Sequence, residues 1–342
     1  MLGVIRNLII VGLLLQLYSC GKTEAGRVDE TIYVRHQGAD MPAYVHGNLS
    51  SNAVLVIVHG AGSFGLSFRE ESFKSVLEKL FTVVYFDQRG QSMSEGHYPK
   101  PDDVIRLMGD DVSALIQVLK HQYGADKSYF LLGHSLGGMI ALSSMVNSGS
   151  QTDLAGWICV DGALDFPFIK QARKEAVLQI GDEQIDAGND PGSWNDLINR
   201  LLSLDPDSDY DEILKIAGEA MDLLTTTGVI PAGDSKDRLR NAIVINNPVN
   251  WLVSNYFNQP VQAALAEDLS LTNRLNAITI PTLFIYGKYD LSVPPAMGEW
   301  AKFNVGSSSK ELLLFEQSMH HPFYSEPEHF VEQVAQFINN NK

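Results

Sequence analysis

Short apolar runs alternate with amphipathic segments along most of the chain. Continuous apolar runs rich in β-branched residues occupy 53–58 and 81–86, and a helical pattern lies between them at 67–80. Runs of this kind are typical of strands buried on both faces of a sheet. The alternation continues with predicted strands at 31–36, 43–46, 128–132, 157–160, 282–286 and 311–315 and helices at 102–123, 136–146, 294–303 and 328–338. This pattern predicts an α/β fold, with a mostly parallel central sheet covered by helices on both faces.

One stretch, from 164 to 273, breaks the alternation. It has no convincing buried strand, and its helical segments, such as 194–204 and 211–224, are separated by Pro and Gly. Because the stretch is too long for a loop, we interpret it as a helical cap inserted between the sixth and seventh core strands. The core then comprises 31–163 and 274–342. The predicted cap carries 18 acidic and eight basic residues, and its candidate apolar lining is Trp194, Trp251, Tyr256 and Phe257.

The N-terminus has the pattern of an export signal. Arg6 precedes the apolar run 8–15, which is too short to span a bilayer, since spanning takes about 20 apolar residues. The ending Leu17-Tyr18-Ser19-Cys20 resembles the lipobox of bacterial lipoproteins, and this implies lipidation of Cys20. We therefore expect a lipoprotein-type signal peptide at 1–20, a tether at 21–30, and an exported protein anchored to a cell-envelope membrane on its periplasmic or surface side. The alternative is a plain secretory signal in which Cys20 is incidental.

Charge and cysteine content narrow the possible partners. The formal net charge is −16 and there is no block of Lys and Arg, so the sequence does not favour nucleic-acid binding or electrostatic attraction to anionic lipids. Membrane contact is expected through the N-terminal lipid anchor only. The second cysteine, Cys159, lies in an apolar run, and the chain has no cysteine cluster typical of a metal site.

The strongest chemical motif is the G-x-S-x-G string Gly133-His134-Ser135-Leu136-Gly137. It follows a predicted strand directly and opens a helix rich in small residues, as a nucleophile elbow does. Glycines permit the sharp turn that exposes the serine, and the helix N-terminus favours negative charge on a developing oxyanion. Ser135 is therefore the candidate nucleophile.

A nucleophilic serine needs a base, and the base needs an acid that orients it. Two polar segments follow later strands: Tyr289-Asp290 comes after 282–286, and His320-His321 comes after 311–315. Carboxyl ends of parallel strands are where the active sites of open α/β sheets collect. Asp290 and His320 are therefore the candidate acid and base, with His321 as the alternative base.

These motifs resemble the α/β-hydrolase superfamily from about residue 30 to the end. The superfamily often has a histidine followed by Pro at the second and seventh positions, and Pro322 and Pro327 place His320 in that register. The resemblance implies an oxyanion hole formed by the amides of Ala61, after His59-Gly60, and Leu136. It also implies a structural turn at 87–94, Asp87-Gln88-Arg89-Gly90-Gln91-Ser92-Met93-Ser94, with Ser92 where Gly is usual. Asp161 is the fallback acid, because some lipases of the superfamily place it after the sixth strand.

The function predicted first is hydrolysis of a carboxylic ester, or a related acyl bond, through an acyl-enzyme. Neither a metal nor an organic cofactor is required, and the expected partner is a small-molecule acyl substrate. The segment 87–90 is also typical of proline iminopeptidase-like aminopeptidases, whose Gly-Gly-Pro-Gly segment and Gly-x-Ser-Trp-Gly elbow are absent here. A further alternative is a surface binding lipoprotein with a degenerate hydrolase fold. The sequence does not determine the oligomeric state.

Overall fold

Eight strands form one sheet in the described part of this computed structural model, which comprises residues 26–96, 98, 104–231 and 269–342. The strands are β1 (Arg27–His36), β2 (Ala39–Asn48), β3 (Ala53–Val58), β4 (Thr82–Phe86), β5 (Ser128–His134), β6 (Gly156–Val160), β7 (Thr282–Gly287) and β8 (Lys310–Phe315). Their order is β1-β2-β4-β3-β5-β6-β7-β8. Only β2 runs antiparallel to its neighbours, so the predicted mostly parallel sheet is confirmed.

The helices follow the predicted alternation. They are α1 (Glu78–Leu80), α2 (Val104–Tyr123), α3 (Leu136–Asn147), α4 (Phe166–Ala187), α5 (Pro191–Leu202), α6 (Tyr210–Thr226), α7 (Ala296–Asn304), α8 (Pro322–Ser325) and α9 (Pro327–Asn341). The helix predicted at 67–80 is instead a 3₁₀ turn, Gly65–Phe68, and a π-helical turn, Phe73–Leu77, that continues into α1.

Two apolar layers lie on opposite faces of the sheet. Along β3, Val54, Val56 and Val58 pack in the layer that contains α2, α3 and α7, whereas Leu55 and Ile57 face the layer that contains α9. All six residues of β3 are fully buried, as its continuous apolar sequence predicted. Because every side chain of β3 is buried, the position of the strand is fixed. The position of the sheet edge where the polar loops begin is fixed with it.

The first hairpin corrects the predicted N-terminal boundaries. The tether predicted at 21–30 is too long, because β1 begins at Arg27 and its whole length pairs with β2. Gln37 and Gly38 both have positive φ, 42° and 75°, which suits a tight two-residue connection between twisted strands. Sequence patterning missed residues 27–30 because only one of them, Val28, is buried.

Three helices, α4, α5 and α6, form the described part of the predicted cap. They pack around their own apolar cluster, in which Trp194 is fully buried, so this residue belongs to the cap interior and does not line a pocket. The insertion leaves and rejoins the core side by side, since Asp165 and Ser270 form an isolated antiparallel bridge. Trp251, Tyr256 and Phe257 lie outside the described residues.

The turn that follows β4 is held in place by a buried ion pair between Arg89 and Asp111. The Arg89 guanidinium donates to both oxygens of Asp111 at 2.6 and 2.8 Å and to two backbone carbonyls of the first hairpin. Asp87 accepts from the Gly65 amide at 2.8 Å. Ser92, which stands where Gly is usual, has a φ of 50° and therefore adopts the backbone that glycine favours. These contacts give the turn a structural role.

Neither the lipid anchor nor a membrane span is visible in the described residues. Cys20 and the whole predicted signal peptide lie outside them. Within the described ranges, no helix combines the length and the apolarity that crossing a bilayer requires.

Candidate active site

Ser135 lies in a strained turn between β5 and α3. Its φ of 54° and ψ of −122° are unusual for a residue with a Cβ, and such a conformation costs about 1–3 kcal/mol. The neighbouring backbone holds it there: the Ser135 amide donates to Val160 O at 2.9 Å, and its carbonyl accepts from the amides of Gly138 and Ala163. The geometry is the sharp strand–turn–helix that the motif predicted.

Glycine is required at Gly137 by close approach of the backbone. A Cβ at this position would lie 2.2 Å from the carbonyl oxygen of Val58 and 2.6 Å from that of His59. The first turn of α3 is therefore pressed against the end of β3. This contact places Ser135 next to the segment that follows β3, since a Cβ on Gly60 would lie 3.0 Å from the Ser135 Cβ.

The side chains of Asp290 and His320 form a direct hydrogen bond. Asp290 Oδ2 lies 2.7 Å from His320 Nδ1, and the Asp290 side chain is fully buried. The other oxygen, Oδ1, accepts from the amides of Ser292 and Val293 at 2.7 and 3.0 Å. Both carboxyl oxygens therefore have partners that fix the orientation of the side chain, and Nε2 is the His320 nitrogen that does not bind Asp290.

His134 connects the Ser135 turn to the histidine loop. Its Nε2 donates to the His320 carbonyl at 2.9 Å, and the two rings have centroids 4.9 Å apart. The Ser135 hydroxyl itself makes no hydrogen bond to any residue in the described ranges. The structure therefore brings the three predicted residues to one edge of the sheet through neighbouring contacts. Sequence reasoning missed this role of His134, although its position inside the elbow could have indicated it.

The alternative base, His321, lies beside His320, and their ring centroids are 5.1 Å apart. Its ring stacks on Tyr324, with centroids 5.8 Å apart and an interplanar angle of 22°. Its carbonyl accepts from the amides of Tyr324 and Ser325 at the start of α8. Asp290 is bonded to His320 Nδ1, so the geometry favours His320 as the partner of the acid.

Asp161, the fallback acid, lies close to His320. Ligand atoms of His134, Asp161 and His320 lie within 4.8 Å of one another, the only such group among the described residues. All three residues are already engaged: His134 Nε2 donates to a carbonyl, Asp161 Oδ1 accepts from the Gly287 amide at 2.9 Å, and His320 Nδ1 is bonded to Asp290. Distance alone would permit a metal, whereas the existing hydrogen bonds already give these groups protein partners.

The segment predicted to supply the oxyanion hole follows β3. Ala61 is exposed at its tip, and Leu136 is the buried first residue of α3. His59 is fully buried, its Nδ1 donates to the Gly60 carbonyl at 2.8 Å, and its Nε2 accepts from the Gln88 amide at 3.4 Å. Burial lowers the pKa of His59, so the ring is held neutral. His59 therefore shapes the backbone beside Ser135.

Comparison with known proteins assigns the fold. Residues 50–180 match the family model described as serine aminopeptidase, S33. A proline iminopeptidase from Saccharolobus solfataricus is 24% identical over 84% of this chain and 86% of its own length. The esterase RhEst1 from Rhodococcus sp. superposes with a TM-score of 0.61 at 20% identity, over 93% of this chain and 100% of that chain. The chain has the α/β-hydrolase fold. A proline iminopeptidase from Mycobacterium smegmatis has the same fold, with a TM-score of 0.57 at 16% identity over 91% of this chain and 98% of its own.

In this α/β-hydrolase fold, the cap rests directly on the loops that carry the candidate acid and the candidate base. Leu291, next to Asp290, is fully buried in the apolar cluster of the cap. Tyr289 and Met319, which flank Asp290 and His320 in sequence, are half-buried against the same cluster. The described part of the cap is thus packed against both loops.

Proposed function

We propose that this hydrolase cleaves a carboxylic ester, or a related acyl bond, through an acyl-enzyme on Ser135. The observation that carries the proposal is the buried Asp290 carboxylate, fixed by two amides and bound to His320 Nδ1 at 2.7 Å, on the sheet edge where Ser135 turns outward. His320 Nε2 would take the proton of Ser135 as its hydroxyl attacks the carbonyl carbon. Asp290 would hold the imidazole in the required tautomer and stabilise the cation.

The remaining steps use backbone groups and water. Amides of Ala61 and Leu136 would donate to the oxyanion of the tetrahedral intermediate. His320 would then return its proton to the leaving alcohol, and a water molecule activated by the same imidazole would hydrolyse the acyl-enzyme. No step requires a metal or an organic cofactor.

A proline iminopeptidase-like aminopeptidase is the second candidate, and its support comes from the sequence relatives of that name. Such an enzyme needs carboxylates that face the substrate ammonium. In the described part of the cap, 164–231, the carboxylates are exposed or half-exposed. Two of them, Glu212 and Glu219, bind Arg200 at the surface. This distribution of carboxylates favours an ester substrate over a peptide with a free amino terminus.

A fluorophosphonate probe, followed by a substrate comparison, tests both candidates. We expect Ser135 to be labelled and p-nitrophenyl acyl esters to be cleaved faster than proline anilides. The matched control is Ser135→Ala, which keeps a Cβ and therefore keeps the strain of a φ of 54°. It should lose labelling and turnover while its unfolding midpoint stays near that of the wild type.

Each outcome of these assays distinguishes one candidate function from the others. Anilide turnover without ester turnover would transfer the proposal to the aminopeptidase. Failure of Ser135 to react would favour a binding protein with a hydrolase fold, and turnover that persists in the alanine variant would refute the nucleophile.

We further propose that the protein is exported as a lipoprotein anchored through Cys20. The support is the sequence order of a basic residue, an apolar run and a lipobox-like ending. Metabolic incorporation of an alkyne fatty acid should label the wild type and leave Cys20→Ser unlabelled. Equal labelling of the two proteins would contradict the anchor.

A further inference from the structure

Arg173 is a buried cation on the cap helix α4, with a relative exposure of 5%. Its Nε donates to the Leu291 carbonyl at 2.8 Å, and one terminal nitrogen donates to the Ser292 carbonyl at 2.5 Å. The other terminal nitrogen donates to the Tyr210 hydroxyl at 2.5 Å. The guanidinium therefore binds the two residues that directly follow Asp290.

The choice of partners is unusual for a buried charge. Buried guanidinium groups are normally paired with carboxylates, because removal of a charge from water is costly. Within the described ranges no carboxylate lies in ion-pair distance of Arg173, and its acceptors are two carbonyls and a hydroxyl. The planar fork of Arg places separate nitrogens on two adjacent carbonyls and on a hydroxyl, a geometry that the single Nζ of a lysine does not reproduce.

The same short loop also holds the acid. We define the acid loop as Asp290–Val293. On its inner side, the amides of Ser292 and Val293 donate to Asp290 Oδ1. On its outer side, the carbonyls of Leu291 and Ser292 accept from Arg173. A displacement of the loop on one side must therefore move the amides on the other side.

We propose that Arg173 is a positioning residue, which ties α4 of the cap to the acid loop and so holds Asp290 in place against His320. This role rests on the proposed function, since it acts through the triad. Loss of the guanidinium would release the loop carbonyls, loosen the two amides on Oδ1 and misplace the carboxylate. Catalysis is sensitive to such shifts, because a misplacement of about 1 Å lowers rates about 100-fold.

Arg173→Met, which keeps the length of the side chain, tests the proposal in steady-state ester hydrolysis. We expect kcat to fall about 10- to 100-fold while KM changes less than about threefold, because Arg173 acts on the acid and does not touch the substrate. Arg173→Lys keeps the buried charge without the fork and should give an intermediate kcat. If the methionine variant does not fold, the kcat of Arg173→Lys tests the proposal instead.

The matched control is Lys174→Met on the same helix. Lys174 also donates to a backbone carbonyl, that of Leu204 at 2.5 Å, but this acceptor belongs to the cap itself. We expect kcat of this variant to stay within about twofold of the wild type, because the acid loop is untouched. Similar losses in the two variants would indicate general damage to the cap and would overturn the positioning role.

Chemical rescue separates positioning from stability. Millimolar guanidinium should restore part of the kcat of Arg173→Ala, whereas the same concentration of sodium chloride should not, and Asp290→Asn should not respond. A wild-type kcat in Arg173→Met, with Ser135 still labelled by the fluorophosphonate, would overturn the role of Arg173 and leave the triad standing. An unlabelled wild type would instead overturn the proposed function and, with it, the role of Arg173.

Discussion

Replacement of Asp290 by asparagine should reverse the tautomer of His320 without moving it. The two amides of the acid loop donate to Asp290 Oδ1 at 2.7 and 3.0 Å, so the carbonyl oxygen of an asparagine must take that position. An NH₂ group there would face two donors and leave all three unsatisfied. The NH₂ is therefore directed to the site of Oδ2, which is 2.7 Å from His320 Nδ1.

The consequence for the imidazole follows from donor and acceptor counts. With an NH₂ donor opposite it, Nδ1 must accept, and the ring proton moves to Nε2. A protonated Nε2 cannot take the proton of Ser135. A wrong tautomer of this kind lowers kcat about 10⁴-fold, which corresponds to about 5.4 kcal/mol of barrier.

The assay is ester hydrolysis under steady-state conditions, together with the rate of fluorophosphonate labelling of Ser135. Asp161→Asn is the matched control, because Asp161 is also a buried carboxylate near His320, but one of its oxygens is bound to the Gly287 amide. We expect a loss of only about 10-fold there, an electrostatic effect without a tautomer change. More than a tenth of wild-type kcat in Asp290→Asn would refute the tautomer argument. A loss in Asp161→Asn as large as that in Asp290→Asn would assign the acid role to Asp161.

Three further predictions concern the surroundings of the triad. Burial lowers the pKa of His59, so the unfolded chain binds more protons and the free energy of unfolding falls as pH drops below about 6.5, by at most about 1.4 kcal/mol per pH unit for one proton. Urea unfolding at several pH values should show a flatter pH dependence in His59→Gln, and an unchanged slope would contradict the neutral buried ring. Gly137→Ala places a Cβ 2.2 Å from the Val58 carbonyl and should destabilise the fold by about 1–3 kcal/mol, measured by denaturant unfolding, with a loss of labelling at Ser135; unchanged stability would mean that α3 can move away freely. His321→Gln should keep kcat within about threefold, whereas His320→Gln should lower it at least 10³-fold, and the reverse result would exchange the two histidines.

The parts of the fold that sequence alone predicted are those with local signals. The buried strands were recognised from continuous apolar runs, and the Ser135 turn from a serine between glycines at a strand–helix junction. Asp290 and His320 follow β7 and β8 and are bonded to each other, whereas their catalytic roles stay a prediction. Each of these features depends on a few consecutive residues.

Features that depend on distant partners were missed. Arg173 was not singled out in the sequence, because its burial is decided by carbonyls 118 and 119 residues further along the chain. The start of β1 was missed because polar residues alternate at a half-exposed sheet edge. The distorted helix before β4 was predicted as regular because periodicity does not distinguish a π-helical turn from an α-helical one.

The bridge between Asp165 and Ser270 has a consequence for how this protein could change. Asp165 Oδ2 also accepts from the hydroxyls of Ser270 and Thr272 at 2.6 and 2.8 Å, so both ends of the insertion are fastened at one point on the core. Because loop-closure entropy rises only slowly with length, segments of quite different size can be joined there without strain on β6 or β7. Exchange of the segment between the two anchor points is therefore a direct route to new substrate ranges, and it leaves the core sheet unaltered.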